Sequence, residues 1–156
     1  MGISINVELL PRTCPCNCEE ELIRVMKTFD SPHLGINFDL NHLMNRYQEI
    51  PDWLEKFSPW LNACHVNDYD GVDEQHWRPG NGLLDWQKIM HKINKLDRDI
   101  LLIFEYASTL QGRRPETSAT FMLREAEKTV FYLEHIDIYR ELEQKEVDFA
   151  LPGNDK

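Results

Sequence analysis

The sequence predicts an α/β fold in which parallel strands alternate with helices, about half the size of a closed eight-stranded barrel. Three observations carry this. Strand-like segments lie at 3–9, 34–39, 63–68 and 99–106, and helix-like segments separate them. Each strand–helix unit takes roughly 30–40 residues, and such units pack as a parallel sheet with right-handed crossovers. A closed (β/α)8 barrel needs about 250 residues, whereas this chain has 156. The expected product is half a barrel, or a small open sheet. It forms one domain over 1–150, followed by a frayed tail at 151–156.

The elements follow in order. Residues 3–9 (Ile-Ser-Ile-Asn-Val-Glu-Leu) alternate apolar and polar with period two, as a half-buried strand does. Glu19–Phe29 carries Leu22, Ile23 and Met26 at helical spacing, with acidic residues in the first turn where the helix dipole favours them. Residues 34–39 (Leu-Gly-Ile-Asn-Phe-Asp) alternate again. Pro51 starts a short helix to about Phe57, ahead of the Ser58-Pro59 break. Residues 63–68 (Ala-Cys-His-Val-Asn-Asp) form the third strand, and the Gly80-Asn81-Gly82 loop leads to a helix over 85–96. Residues 99–106 are almost wholly apolar, which predicts a strand buried on both faces. Residues 115–143 read as one long helix or two consecutive ones.

Charge and composition narrow the function. Acidic residues outnumber basic ones by 27 to 17, for a net charge of −10. Such a chain repels phosphate backbones, so no nucleic-acid partner is expected. No apolar run approaches the ~20 residues of a membrane span. Residues 1–10 lack a basic segment followed by an apolar stretch, so a cytoplasmic location is expected. Cys14, Cys16 and Cys18 then read as reduced thiols on a loop rather than a disulfide framework. Their spacing differs from the Cys-x2-Cys pairs of structural zinc sites, so no stable metal is expected there. Trp53, Phe57 and Trp60 are spaced as core, and Trp77 and Trp86 are expected to pack around the glycine loop.

Strand parity sorts the polar residues. Ile3, Ile5 and Val7 share one face, and Ser4, Asn6 and Glu8 the other. Ile36 and Phe38 oppose Gly35, Asn37 and Asp39; Cys64 and Val66 oppose Ala63, His65 and Asn67; Ile100, Leu102 and Phe104 oppose Leu101, Ile103 and Glu105. Each strand therefore places one strong ligand near its C-terminal end on the face away from the helices: Glu8, Asp39, His65 and Glu105. Polar residues also end strands simply because loops begin there. Four in register is a stronger pattern, since buried carboxylates are unfavourable unless paired or metal-bound. Three carboxylates and an imidazole suit Mn²⁺ or Mg²⁺, with Co²⁺ or Zn²⁺ as further choices.

These residues carry a family resemblance. Ile36-Asn-Phe-Asp39-Leu-Asn-His42 resembles the Gly-x-x-x-Asp-x-x-His signature of the xylose-isomerase-like TIM barrels. His65-Val-Asn-Asp68 and His76-Trp-Arg-Pro-Gly80-Asn-Gly82 resemble their His-x-x-Asp and His-x-x-x-Gly-x-Gly segments, and Ile5-Asn-Val-Glu8 and Leu102-Ile-Phe-Glu105 resemble their glutamate strands. The superfamily includes sugar phosphate isomerases and epimerases, ketose 3-epimerases, inosose-type enzymes and endonuclease IV. The resemblance covers about residues 1–110 and only strands five to eight of the (β/α)8 barrel. It implies a truncated gene product, a half-barrel that pairs with another chain, or an artefactual reading frame.

The resemblance implies a divalent metal, most simply Mn²⁺, held by Glu8, Asp39, His65 and Glu105. The metal would chelate oxygens of a small sugar or polyol and stabilise an enediolate. Glu8 and Glu105 would be the catalytic acid/base pair. His42, Asn67, His76 and Arg78 would contact substrate. Glu74-Gln-His76 resembles the Asp-x-His pair of the three-zinc endonuclease IV branch, with Glu in place of Asp. The expected function is a metal-dependent sugar or sugar phosphate isomerase/epimerase with low activity in this chain alone. The alternatives are a non-catalytic, self-associating half-barrel or an abasic-site endonuclease relative. Open sheet edges lead to the expectation of a homodimer or of pairing with a separate N-terminal half-barrel.

Overall fold

The computed structural model describes residues 3–105 and 119–139. Its elements are β1 (Ile5–Glu8), α1 (Glu19–Phe29), β2 (Leu34–Asp39), α2 (Ile50–Phe57), β3 (Leu61–His65), α3 (Trp86–Ile93), β4 (Leu101–Ile103) and α4 (Ala119–Glu134). The four strands form one parallel sheet in the order β1-β2-β3-β4. Strand–helix alternation and sequential strand order give the partial barrel that the periodicity predicts. The outer part of the 115–143 region and the 151–156 tail lie outside the described residues.

Helices cover one face of the sheet. Ile36, Phe38 and Cys64 are fully buried there, together with Leu22 and Met26 of α1, Trp53 and Phe57 of α2, and Ile89 and Ile93 of α3. Phe38 stacks on Trp53 at a 6.2 Å centroid distance and meets Phe57 edge-on at 5.5 Å. Trp53 and Phe57 are buried as their spacing predicts, Trp60 is half-buried against the core, and Trp77 and Trp86 are buried as expected of residues flanking the glycine loop. No helix among the described residues is long and apolar enough to cross a membrane.

Residues 40–49 hold a structure that the sequence pattern does not announce. They form a 3₁₀ stretch, Leu40–Glu49, interrupted at Met44, which has φ 53°. Asp39 caps it by accepting the Asn41 N–H, and Tyr69 Oη donates to the Met44 carbonyl at 2.6 Å. This stretch turns the chain directly from β2 into α2.

The strand β3 starts two residues earlier than its alternation suggests, because it contains a bulge. Ile36 pairs with Leu61 but Asn37 pairs with Ala63, which leaves Asn62 as the extra residue. Leu61 therefore faces the helices, whereas Ala63 and His65 lie on the opposite face with Asn37 and Asp39. The Asn62 side chain lies across Gly35 and donates to Asn6 Oδ1 at 2.9 Å. A Cβ at position 35 would sit 2.6 Å from Asn62 Cγ, so any larger residue there would have to displace the Asn62 side chain.

The fourth strand departs from expectation. It is short, and Leu101 and Ile103 remain 63% and 36% exposed, while Leu102 and Phe104 pack against the core. The apolar run is buried on one face only, because nothing among the described residues covers the inner face beside this edge. At the other edge Ile3 and Ile5 are also exposed.

Candidate metal centre

The concave face of the sheet collects the ligand-type side chains at its C-terminal end. Glu8 ends β1, Asp39 ends β2, His65 ends β3, and Glu105 lies two residues beyond β4. The pairings Asp39–His65 and His65–Ile103 keep these ends level. One ligand atom from each of the four residues lies within 4.8 Å of the others. His65 Nδ1 is the hub: it lies 2.7 Å from Glu105 Oε2, 3.2 Å from Glu8 Oε1 and 3.3 Å from Asp39 Oδ2. Glu8 and Glu105 side chains are 33% and 47% exposed, so they stay reachable from the open face.

Asp39 is fully buried. Its Oδ1 accepts from the Asn41 N–H at 2.8 Å and Asn67 Nδ2 at 3.3 Å, which leaves Oδ2 for the cluster. Burial pushes the Asp39 carboxyl up, but the His65 hydrogen bond, the His42 charge and the Asn41 N–H outweigh it and hold the carboxyl below its ordinary value. Burial dominates at Glu8 and raises its carboxyl, against the opposing pull of His65. His65 is raised to about 9, chiefly by its hydrogen bond to Asp39, despite desolvation. In the cation-free protein a protonated His65 thus supplies the positive charge that the carboxylates require.

The donor set fits a divalent cation. Three carboxylates within reach of one point repel each other, and a hard or borderline ion with mixed O and N ligation removes that repulsion. Orphaned polar atoms point the same way. Among the described residues, the buried side-chain atoms without a hydrogen-bond partner are Asn37 Oδ1, Asn67 Oδ1 and both amide atoms of Asn41. Asn41 and Asn67 bond Asp39, and Asn37 bonds His65. Buried polar atoms of this kind call for a bound ion or water to meet them.

A second cluster adjoins the first. Ligand atoms of His42, Glu74 and His76 also lie within 4.8 Å of one another. His42 Nδ1 donates to the Leu9 carbonyl at 2.7 Å, which leaves Nε2 turned toward the cluster. That Nε2 is 3.5 Å from Asp39 Oδ2 and 4.0 Å from Glu74 Oε2. His76 Nδ1 is 3.9 Å from Glu105 Oε2 and 3.3 Å from Asn67 Nδ2. Glu74 is met in turn by Arg12, which also pairs with Asp73. Of the residues expected to contact substrate, His42, Asn67 and His76 therefore line the centre. Arg78 reaches elsewhere: its Nε pairs with Glu125 of α4 at 3.4 Å and its guanidinium donates to Asn81.

Asp68 holds the adjacent loop. Its fully buried carboxylate accepts from Tyr69, Gly80 and Leu84 N–H groups and from Trp86 Nε1, between 2.8 and 3.2 Å. A Cβ at Gly82 would collide with this carboxylate and with the Tyr69 backbone. The glycines and aspartate of the 65–82 segment thus build the wall beside the site. Asn37, below His65, was visible on the ligand face from strand parity, but its residue type carries no metal signal of its own. Cys14, Cys16 and Cys18 form no disulfide, and Cys14 is exposed.

A sequential parallel sheet with helices on one face and acidic and imidazole side chains gathered at its strand ends is the architecture of a partial TIM barrel. A family model for the xylose isomerase-like TIM barrel matches residues 1–125, and the chain belongs to that family. MJ1311, an uncharacterised protein of Methanocaldococcus jannaschii, is 27% identical over 108 residues, which span 67% of this chain and 37% of that protein. A solved D-tagatose 3-epimerase-like protein superposes with a TM-score of 0.66 and 23% identity, over 93% of this chain and 49% of its own. D-psicose 3-epimerase from Clostridium cellulolyticum H10 gives 0.67 and 16%, over 83% and 47%. 3-Keto-D-glucoside 4-epimerase YcjR from E. coli gives 0.63 and 16%, over 84% and 45%. These structures share the fold, and the chain spans about half the length of each.

Proposed function

We propose that this chain carries the metal-binding half of a divalent-metal-dependent sugar or sugar phosphate isomerase/epimerase. The observation that supports it most is the placement of Glu8 and Glu105 on either flank of His65 Nδ1, at 3.2 and 2.7 Å, on the open face. Glu8, Asp39, His65 and Glu105 would hold the ion, Mn²⁺ by preference, with Mg²⁺, Co²⁺ or Zn²⁺ as substitutes. When bound, such an ion supplies Lewis acidity toward adjacent hydroxyl and carbonyl oxygens of a polyol. One glutamate removes a proton from the carbon beside the carbonyl, leaving an enediolate. The other returns a proton to the opposite face of that carbon or to its neighbour. His42, Asn67 and His76 orient substrate oxygens, and a second copy or an N-terminal half-barrel covers the open face.

The test is solvent exchange. The Mn²⁺-loaded chain is incubated with a ketose in D₂O, and deuterium at the carbon next to the carbonyl is followed by NMR. Exchange that disappears in Glu8→Gln and in Glu105→Gln supports the assignment. Exchange that is absent from the loaded wild type, or unchanged in both variants, overturns it. The cluster of His42, Glu74 and His76 favours a second reading, a multi-metal phosphodiesterase acting at abasic sites. Cleavage of an abasic duplex without ketose exchange would establish that instead.

A further inference from the structure

We infer that Asn37 is a positioning residue that fixes which nitrogen of His65 faces the cation; the inference rests on the metal assignment above. The His65 ring stands between two different environments. Nδ1 faces the three carboxylate oxygens, at 2.7, 3.2 and 3.3 Å. Nε2 faces away from them and lies 2.8 Å from the Asn37 amide. Nδ1 is therefore the nitrogen placed to share an ion with Glu8, Asp39 and Glu105. An imidazole that ligates through one nitrogen carries its proton on the other, and that N–H takes an acceptor that sets the tautomer and the ring orientation.

The Asn37 amide meets this requirement. Asn37 pairs with Glu8 of β1 and with Ala63 of β3, so its side chain rises on the ligand face one strand away from the imidazole. It is only 7% exposed, which shields the contact from water. As placed, Nδ2 faces Nε2 and Oδ1 is buried without a partner. That orientation suits a neutral ring with its proton on Nδ1, whereas the ring protonated on both nitrogens and the ring that ligates a cation through Nδ1 each need an acceptor at Nε2. Half a turn of the amide exchanges its two ends. Oδ1 then accepts from Nε2–H, and the Nδ1 lone pair is released toward the carboxylates. One amide end stays unpartnered either way, so the state of His65 decides the orientation.

A hydrocarbon at position 37 removes the acceptor. Nothing then holds the proton on Nε2, and the competing Nδ1–H tautomer can donate to Glu105 instead. The test titrates wild type, Asn37→Leu and Asn37→Asp with Mn²⁺ by calorimetry. It also records proton–nitrogen correlation spectra of the histidine rings with Zn²⁺ bound. Wild type is expected to show Nε2 protonated and Nδ1 metal-bound. Asn37→Leu is expected to lose roughly 10–100-fold in affinity, whereas Asn37→Asp keeps an acceptor, the same tautomer and affinity within a few-fold. Ligation through Nε2, or equal affinity for Asn37→Leu and wild type, overturns the role of Asn37 while leaving the metal centre standing. A folded wild type that takes up neither ion overturns both together. Thermal unfolding of each metal-free variant separates a binding defect from a folding defect.

Discussion

His42 Nε2 lies 3.5 Å from Asp39 Oδ2, the same oxygen that lies 3.3 Å from His65 Nδ1. One buried carboxylate oxygen thus borders both ligand clusters. His65 of the first cluster and His42 of the second share Asp39 as neighbour.

Replacing Asp39 is therefore expected to disable the whole centre. Asp39→Asn keeps the volume but removes the charge that both clusters use. Mn²⁺ affinity measured by calorimetry should fall more than tenfold, which is about 1.4 kcal/mol, and a larger loss is expected than for Glu74→Gln. Equal losses in the two variants would mean that the clusters act separately.

The pH dependence of the metal-free protein follows from His65. Its folded value of about 9 lies above the ordinary 6.5, so its contribution to stability is full below pH 6.5 and is lost as pH rises through 9. Glu8, also raised, acts in the same direction at lower pH. Asp39 acts oppositely: its lowered carboxyl contributes stability above 3.8 that is lost in more acidic solution. With EDTA present, Tm should decline between pH 6.5 and 9, and His65→Gln should flatten that decline. A Tm that rises across this interval contradicts the assignment.

Asp68 is expected to matter for stability more than for ion binding. Removing its carboxylate strands four donors, Tyr69, Gly80, Leu84 and Trp86 Nε1. A buried donor left without an acceptor costs about 1–3 kcal/mol, so Asp68→Ala should lose about 3 kcal/mol or more in urea unfolding. Gly82→Ala should be of similar severity, because its Cβ would enter the same space. Near-wild-type midpoints for both variants would remove Asp68 from this role.

Assembly is expected to involve more than one chain. The edges of the sheet at β1 and β4 leave Ile3, Ile5 and Leu101 exposed, and open edges with apolar flanks pair readily. Sedimentation at micromolar concentration should show a species heavier than the 18.5 kDa chain. A single folded species at that mass rules out self-association.

Turnover by the isolated chain should be low even where deuterium exchange is measurable. Substrate positioning contributes ~7–11 kcal/mol to barrier lowering in well-oriented systems, and barrel enzymes position substrate with loops from all eight strands. Steady-state assays with purified chain and Mn²⁺ measure this directly. Robust epimerisation would show that four strands suffice.

The sequence displayed much of this architecture. Glu19–Phe29 and Leu34–Asp39 match their expected bounds because their periodicity is uninterrupted. The convergence of Glu8, Asp39, His65 and Glu105 was legible because strand parity and strand ends coincide there. Other features lacked a local signal. The 3₁₀ stretch over 40–49 depends on a cap from Asp39 and a bond from Tyr69, residues outside any helical period. Leu101 and Ile103 resemble core residues in sequence, since apolarity alone does not say whether a second layer covers them. Arg78 looked free to meet an anion, and its partner Glu125 lies far along the chain on α4.

The extra residue in β3 has a consequence for how this chain tolerates change in length. Asn62 already absorbs one residue without disturbing the pairing of Asp39 with His65. Deleting it would restore a regular ladder through Leu61 and Ala63 and leave His65 in the same phase. The bulge behaves as a slack link between the two ends of the strand. Removal of that one residue is expected to shorten the strand while Asp39 and His65 keep their alignment.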